Sequence, residues 1–401
     1  MAHIVPAMLI RRLRSMDLAD PDTADPDTAD PDTADPDTAD PDTADPDTAD
    51  PDPADPDQAD PDPADPDQAD PDLSDSSGSG LSDSDPEPEP TPPGDGRRNP
   101  TPMDVVLTRT MLTRSKGLPQ ELVDAILDFA EYWVHSTNVI NYIAEGRDPR
   151  RVVGTTETEN QFLIRSYPLG LTGIGGDKNL AEELAYDTSE ARPLPLSREH
   201  EPRFFATLVD YPTPRLLRPA RKVVFSIKSK DQGWSSLETY GSYGGSYTWF
   251  EAGLERFDED QDCDSKCTYD VRHYSPSSAA PPLAVCGLRP VHPSTRRDSP
   301  DQDYKYVHPL LPQDRLVIQR NKVAERKWRY RVVTWSYLDD IKPDSEAGKA
   351  IEAEGRGAAT GDGSFVNGLR LGDVITIWGK ARFPGWVNNI KSVRIDVYWA
   401  L

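Results

Sequence analysis

Apolar positions are spread unevenly along the chain, and their spacing changes twice. From Ala19 to Leu73 eleven consecutive pentapeptides run from Ala-Asp-Pro-Asp-Thr to Ala-Asp-Pro-Asp-Pro and Ala-Asp-Pro-Asp-Gln, with no large apolar residue before the closing Leu73. Such units have nothing to bury against one another, so they cannot stack as solenoid repeats do. Carboxylate repulsion and proline-fixed φ predict an extended, disordered acidic tail and linker over residues 1–102.

The first change is to a helical period. Leu118, Leu122, Ile126 and Phe129 fall at i, i+4, i+8 and i+11, on one face of an amphipathic helix, and Pro119 suits its first turn. This face, within a helical segment over 103–160, is expected to meet another apolar surface, either the β-domain or a partner protein. An irregular connector follows over 161–220, with Phe162–Tyr167 and Phe204–Val209 as its good short apolar runs.

The second change, at Arg221, is to a period of two. Val223, Phe225 and Ile227 alternate with Val224, Ser226 and Lys228. Further runs follow at Ser246–Glu251, Leu316–Gln319, Trp328–Trp335, Val374–Trp378 and Val393–Tyr398. Aromatic-rich strands separated by Gly, Asp or Pro turns predict a mainly β fold, an antiparallel β-sandwich or jelly roll over 221–401. The polar, proline-rich stretch 258–313 reads as a loop insertion between two strands.

Charge sharpens this division. The net charge of the 401 residues is -26, from 70 acids and 44 Lys+Arg. Residues 1–100 hold 29 of the acids and 5 of the bases (-24), leaving 41 acids against 39 bases (-2) in the remainder. A near-neutral body behind an acidic arm offers no basic stripe, which argues against nucleic-acid binding, and no run approaches the roughly 18 apolar residues needed to span a bilayer. Three cysteines, Cys263, Cys267 and Cys286, are unlike a secreted disulfide framework. The opening segment places its arginines after a broken apolar run, unlike a secretory signal, so the expected location is cytoplasmic or nuclear.

Chemistry-bearing motifs are sparse. There is no nucleophile elbow, phosphate loop, dinucleotide fingerprint or His-Glu-x-x-His pair, so no catalytic residue is assigned. Cys263 and Cys267 with Cys286, His273 and His292 are too irregularly spaced for zinc, and Asp258–Asp264 lacks the glycine and glutamate of a calcium loop. No metal or cofactor is therefore expected. Trp249, Trp335, Trp378 and Trp399 lie within strand patterns and read as core, whereas Trp234 and Trp386 flank glycines in expected loops. A turn on Pro384 and Gly385 should display Phe383 and Trp386 beside the amides of Asn388 and Asn389 as candidate ligand groups, with Trp234 a further loop candidate; the competing reading is that Trp386 plugs the barrel end and the asparagines cap the turn.

Two resemblances follow from these residues. Leu118, Pro119, Glu121, Leu122, Ile126 and Leu127 match the opening helix of the F-box, Leu-Pro-x-Glu-Leu-x-x-x-Ile-Leu. This implies that Leu118, Pro119, Leu122, Ile126 and Leu127 dock a Skp-type adaptor. The segments Asp231–Trp234, Gly244–Glu251, Phe365–Asp373 and Phe383–Asn389 resemble a fungal protein family that shares the Leu-Pro-x-Glu-Leu-Val-Asp helix. The same half is similar to galactose-binding-like jelly rolls, including the domain that follows the F-box in glycoprotein-recognising ubiquitin ligase subunits. There an aromatic-Lys-Gly-Trp loop touches sugar; here Phe383, Pro384, Gly385 and Trp386 stand in its place, with proline where that loop has its lysine donor. The expected function is a non-enzymatic binding protein recognising a protein or glycan partner, as an F-box-type substrate adaptor would. The alternatives are a hydrolase of carbohydrates or esters and a structural scaffold.

Overall fold

The computed structural model describes residues 99–171, 189–209, 212–235, 239–261 and 285–401, all within one unit of the chain, Leu81–Leu401. The expected disordered tail lies outside the described residues up to Arg98. Helix α1, Pro102–Lys116, opens with a capping box in which the Thr101 side chain accepts from the Asp104 amide and Asp104 reaches back to the Thr101 amide. Gly117, left-handed at φ 60°, ends it. Helix α2, Gln120–Phe129, follows at once, and the Arg109–Asp124 ion pair (2.9 Å) joins the two.

The strands form two antiparallel five-stranded sheets. In the first, β1 (Val134–Asn141), β12 (Val387–Trp399), β4 (Ala220–Lys230) and β10 (Arg329–Ser336) lie in that order, and β2 (Arg150–Val153) also pairs with β12. In the second, β3 (Asn160–Arg165), β11 (Val374–Ala381), β5 (Thr248–Phe257) and β6 (Leu288–His292) lie in order, with β9 (Val317–Arg320) also on β5. A small ribbon joins β7 (Thr295–Arg296) to β8 (Lys305–Tyr306).

Alternation fixes what each strand buries. Val223, Phe225 and Ile227 of β4 stand opposite Val397, Ile395 and Val393 of β12, and all six join Phe250, Ala252 and Leu254 of β5 and Ile375 and Ile377 of β11 in one core. The mainly β antiparallel sandwich expected from the pattern is the fold observed. Trp335 and Trp399 are in that core as expected, whereas Trp249 and Trp378 are buried on the outer face of the second sheet.

Three boundaries differ from expectation. Helix covers only part of 103–160, because β1 and β2 within it pair with β12; the alternation of Val134–Asn141 is masked by its polar residues. The connector 161–220 contains most of β3, which pairs with β11, so the sandwich begins near residue 134, well before 221. The insertion 258–313 carries β6, which completes the second sheet beside β5.

Helix α2 turns most of the apolar face read from its sequence away from the β-domain. Val123 and Leu127 are buried in the sandwich core and Leu118 packs on it, whereas Leu122, Ile126 and Phe129 are 43%, 44% and 63% exposed. The reason is electrostatic. Asp128 accepts two hydrogen bonds from the Arg221 guanidinium (2.9 and 3.1 Å) and one from the Trp133 indole (2.9 Å), which fixes the side of α2 that faces the sheet. Leu127→Ala should therefore destabilise the fold by about 2–5 kcal/mol, whereas Leu122→Asp should change stability by less than about 0.5 kcal/mol. Paired thermal and denaturant melts check this, and the reverse order would contradict the orientation.

Candidate ligand-binding site

The loop that leaves β4 begins with Asp231, a buried carboxylate that accepts from the backbone amides of Gly233 (2.8 Å) and Ala324. Those bonds shape the tight turn, with Gly233 at φ 83° close against Arg326, and lift Trp234 away from the body to 57% exposure. Burial pushes the Asp231 carboxyl up to about 6, against the pull of the amides of Gly233, Ala324 and Glu325.

The turn between β11 and β12 meets this loop. Phe383 holds a left-handed φ of 65°, unusual for an aromatic residue and the kind of strain that concentrates at recognition sites. Gly385 also lies at positive φ, and a Cβ there would stand 3.0 Å from the Trp234 ring, so glycine lets the two loops close on each other. Tyr247 meets Phe383 and Trp386 edge to face, at centroid distances of 4.6 and 5.2 Å. The result is a cleft of ≈ 330 Å³ walled by Trp234, Tyr247, Phe383 and Trp386, with Gln232 and Ser235 at its polar side.

The sequence-derived site residues therefore separate. Trp234, Phe383 and Trp386 come together, but Trp386 is buried at 9% exposure, as the competing reading of the turn had it, and serves as wall, leaving Trp234 as the open face. The two asparagines are not ligand groups. Asn388 is fully buried: its amide donates to the carbonyls of Trp249 (3.1 Å) and Lys380 (3.4 Å), and its Oδ1 accepts from Asn321 (2.9 Å). Asn389 donates to the Asp231 carbonyl (3.0 Å), holding the β4 loop to β12. Alternation explains the error, because the strand begins at Val387 and sends Asn388 into the interior instead of extending the turn. Tyr247 and Gln232 escaped sequence reasoning; the only signal was an aromatic residue just after Gly244 and Gly245.

The proposed docking residues divide in the same way. Pro119, Leu122 and Ile126 face solvent with Phe129, while Leu118 and Leu127 are spent on the core. The neighbouring α1 adds Met103, Leu107 and Met111, 52–59% exposed and spaced i, i+4, i+8 along one face. Two adjacent helices thus each turn an apolar stripe outward.

Among the described residues no group of His, Cys, Asp or Glu is placed to hold a metal ion, and no helix is long and apolar enough to cross a membrane. Cys263, Cys267 and His273 lie outside the described residues, and Cys286 is disulfide-bonded. Asp258 is occupied by the backbone amides of Ser197, Arg198 and Asp260 at 2.9–3.2 Å. No protein-family model, curated protein or solved structure matches the chain.

Two outcomes test this geometry. Because its folded carboxyl binds a proton more tightly than the unfolded chain's, Asp231 contributes stability that is complete below about pH 3.9 and lost as pH rises through about 6. Its carboxyl carbon should accordingly titrate near pH 6 by NMR; a midpoint near 4 would contradict the desolvated environment. Asn388→Ala should cost about 1–3 kcal/mol in a denaturant melt, from the buried partners it leaves unpaired; a neutral result would return Asn388 to the list of ligand groups.

Proposed function

We propose that this chain is a non-enzymatic binding protein whose end-of-sandwich cleft takes a glycan-bearing ligand while the α1–α2 face docks a second protein. The observation that carries the reading is the convergence of four aromatic rings from two loops and β5's approach, with one indole left open. A broad, rigid aromatic face stacks on the C–H surface of a sugar ring, and nearby amide and hydroxyl groups such as Gln232 and Ser235 can orient its hydroxyls. Loops at the ends of sandwiches supply such sites because the sheets hold them rigid without using their outward side chains.

The second half of the reading is an F-box-type substrate adaptor. Its support is the outward stripe of Leu122, Ile126 and Phe129, since contiguous exposed apolar side chains on a folded body are a common mark of a protein interface. A Skp-type adaptor is the partner implied by the Leu-Pro-x-Glu-Leu helix, through Pro119, Leu122 and Ile126 rather than the full set.

Trp234→Ala should abolish binding to an arrayed panel of glycans and glycopeptides and leave the melting temperature unchanged, as its ring is mostly exposed. Capture of bare peptides instead of glycans would replace the ligand class, and absence of any Trp234-dependent binding would sink the cleft. A Leu122→Asp, Ile126→Asp double variant should lose co-purification of a Skp-type adaptor while remaining folded. If wild-type protein captures no such adaptor, that half of the proposal fails independently of the cleft.

A further inference from the structure

A second cavity, of ≈ 600 Å³ and sharing no wall with the aromatic cleft, lies against the outer face of the second sheet. Its floor is Glu251 of β5 with Trp378 and Lys380 of β11, side chains that strand alternation turns away from the inter-sheet core. Its rim brings His292 from the end of β6 and Ser294, Gln313 and Arg315 from the segments beyond β6 and before β9. Polar side chains, Asp314 among them, line one part of the space, and Ala252, Val291, Val307, Leu316 and Trp378 line much of the rest.

Lys380 is 1% exposed, an unusual place for an amine, and every group around it is identifiable. Its Nζ stands 2.6 Å from Nδ1 of His308, 3.2 Å from Oδ1 of Asn160 and 3.7 Å from Oε2 of Glu251. The other oxygen of Glu251 is fixed by the Trp249 indole (2.8 Å). Arg382, two residues on, donates to the same Asn160 oxygen (2.7 Å) and to the Pro309 carbonyl (2.9 Å), which sets a permanent cation beside the amine. Glu159 adds a further carboxylate nearby. Burial, together with Lys380 and Arg382, pushes the His308 imidazole down to about 3, so it is neutral at physiological pH. Burial pushes the Lys380 amine down to about 7, Glu251 opposing and Arg382 assisting.

We propose that this cavity is a carbonyl-capturing site, in which Lys380 forms an imine with a small hydroxylated aldehyde. A desolvated lysine next to a second cation, at the wall of a cavity and within reach of a carboxylate, is the arrangement that makes an amine nucleophilic near neutral pH. The neutral amine of Lys380 donates its lone pair to the carbonyl carbon, and the C=O π pair moves to oxygen. The proton shed by nitrogen passes to that oxygen by way of the Glu251 carboxylate, giving a carbinolamine. Loss of the hydroxyl with the remaining N–H proton, as one water, forms the C=N bond, so amine plus aldehyde is balanced by imine plus water. His292, Ser294, Gln313 and Arg315 are placed to hold the hydroxyls of the captured aldehyde, which is why that class is favoured over an apolar one.

The test uses the full chain, glyceraldehyde as probe and cyanoborohydride to fix any imine, with modified lysines mapped by peptide mass spectrometry across a pH series. At pH 7 Lys380 should be modified on the order of tenfold faster than Lys349, whose side chain is 65% exposed. Its yield should rise with a midpoint near pH 7, whereas an ordinary lysine gains its neutral form only towards about pH 10.4. Lys380→Arg should lose this adduct alone. The wild-type map decides the matter even if that variant fails to fold. A Lys380 that stays unmodified, or that follows the pH profile of Lys349, overturns the proposal and leaves the amine a structural ion-pair partner.

Discussion

The pairing of the last strand holds the rest of the molecule in place. β12 hydrogen-bonds to β1, β2 and β4, so three strands from much earlier in the chain depend on this one segment. Its inward residues Val393, Ile395, Val397 and Trp399 form the floor of the core. The helical hairpin is tied to the same place, since Arg109 donates to the Leu401 carbonyl as well as pairing with Asp124. Contacts so distant in sequence dominate the first sheet, which is incomplete until β12 is in place.

The same pairing positions the aromatic cleft. β11 and β12 belong to different sheets, so the turn joining them must cross the end of the sandwich, where it meets the loop leaving β4. A polar lock behind it keeps the loops in register: Asn321 bonds Ser229 of β4, Thr248 of β5 and Asn388 of β12, spanning both sheets. Buried and fully satisfied, such a network specifies one arrangement more than it adds net stability. It explains how Phe383 can be held at a positive φ that an isolated turn would relax.

The outer face of the second sheet is unlike the core. Arg165 pairs with Glu255 (3.0 Å) and Lys380 with Glu251 (3.7 Å), each pair largely removed from water. Charges so buried seldom outperform apolar replacements for stability, yet removing one partner alone is costly. Their place on one face, beside the cavity that Lys380 and Glu251 line, is the physical basis for looking to that face for chemistry and to the sandwich end for recognition.

The sequence by itself determined the period of two from Arg221 onward, hence the mainly β sandwich, and the assignment of Trp335 and Trp399 to the core between the sheets. These features are local: alternation sets which side chains share a face before any partner strand is known. It also brought Trp234, Phe383 and Trp386 forward, because glycine-flanked aromatics in turns have few internal partners. Only the tertiary structure decided which face of α2 is buried, since Leu118–Leu122–Ile126–Phe129 and Val123–Leu127 are both apolar and the choice fell to Asp128 meeting Arg221, 93 residues away. The burial of Asn388, the roles of β1 and β6, and the meeting of Lys380 with Glu251 and His308 were decided there too. Each depends on contacts between residues far apart in sequence, and the periodicity of a single segment carries no information about its partner.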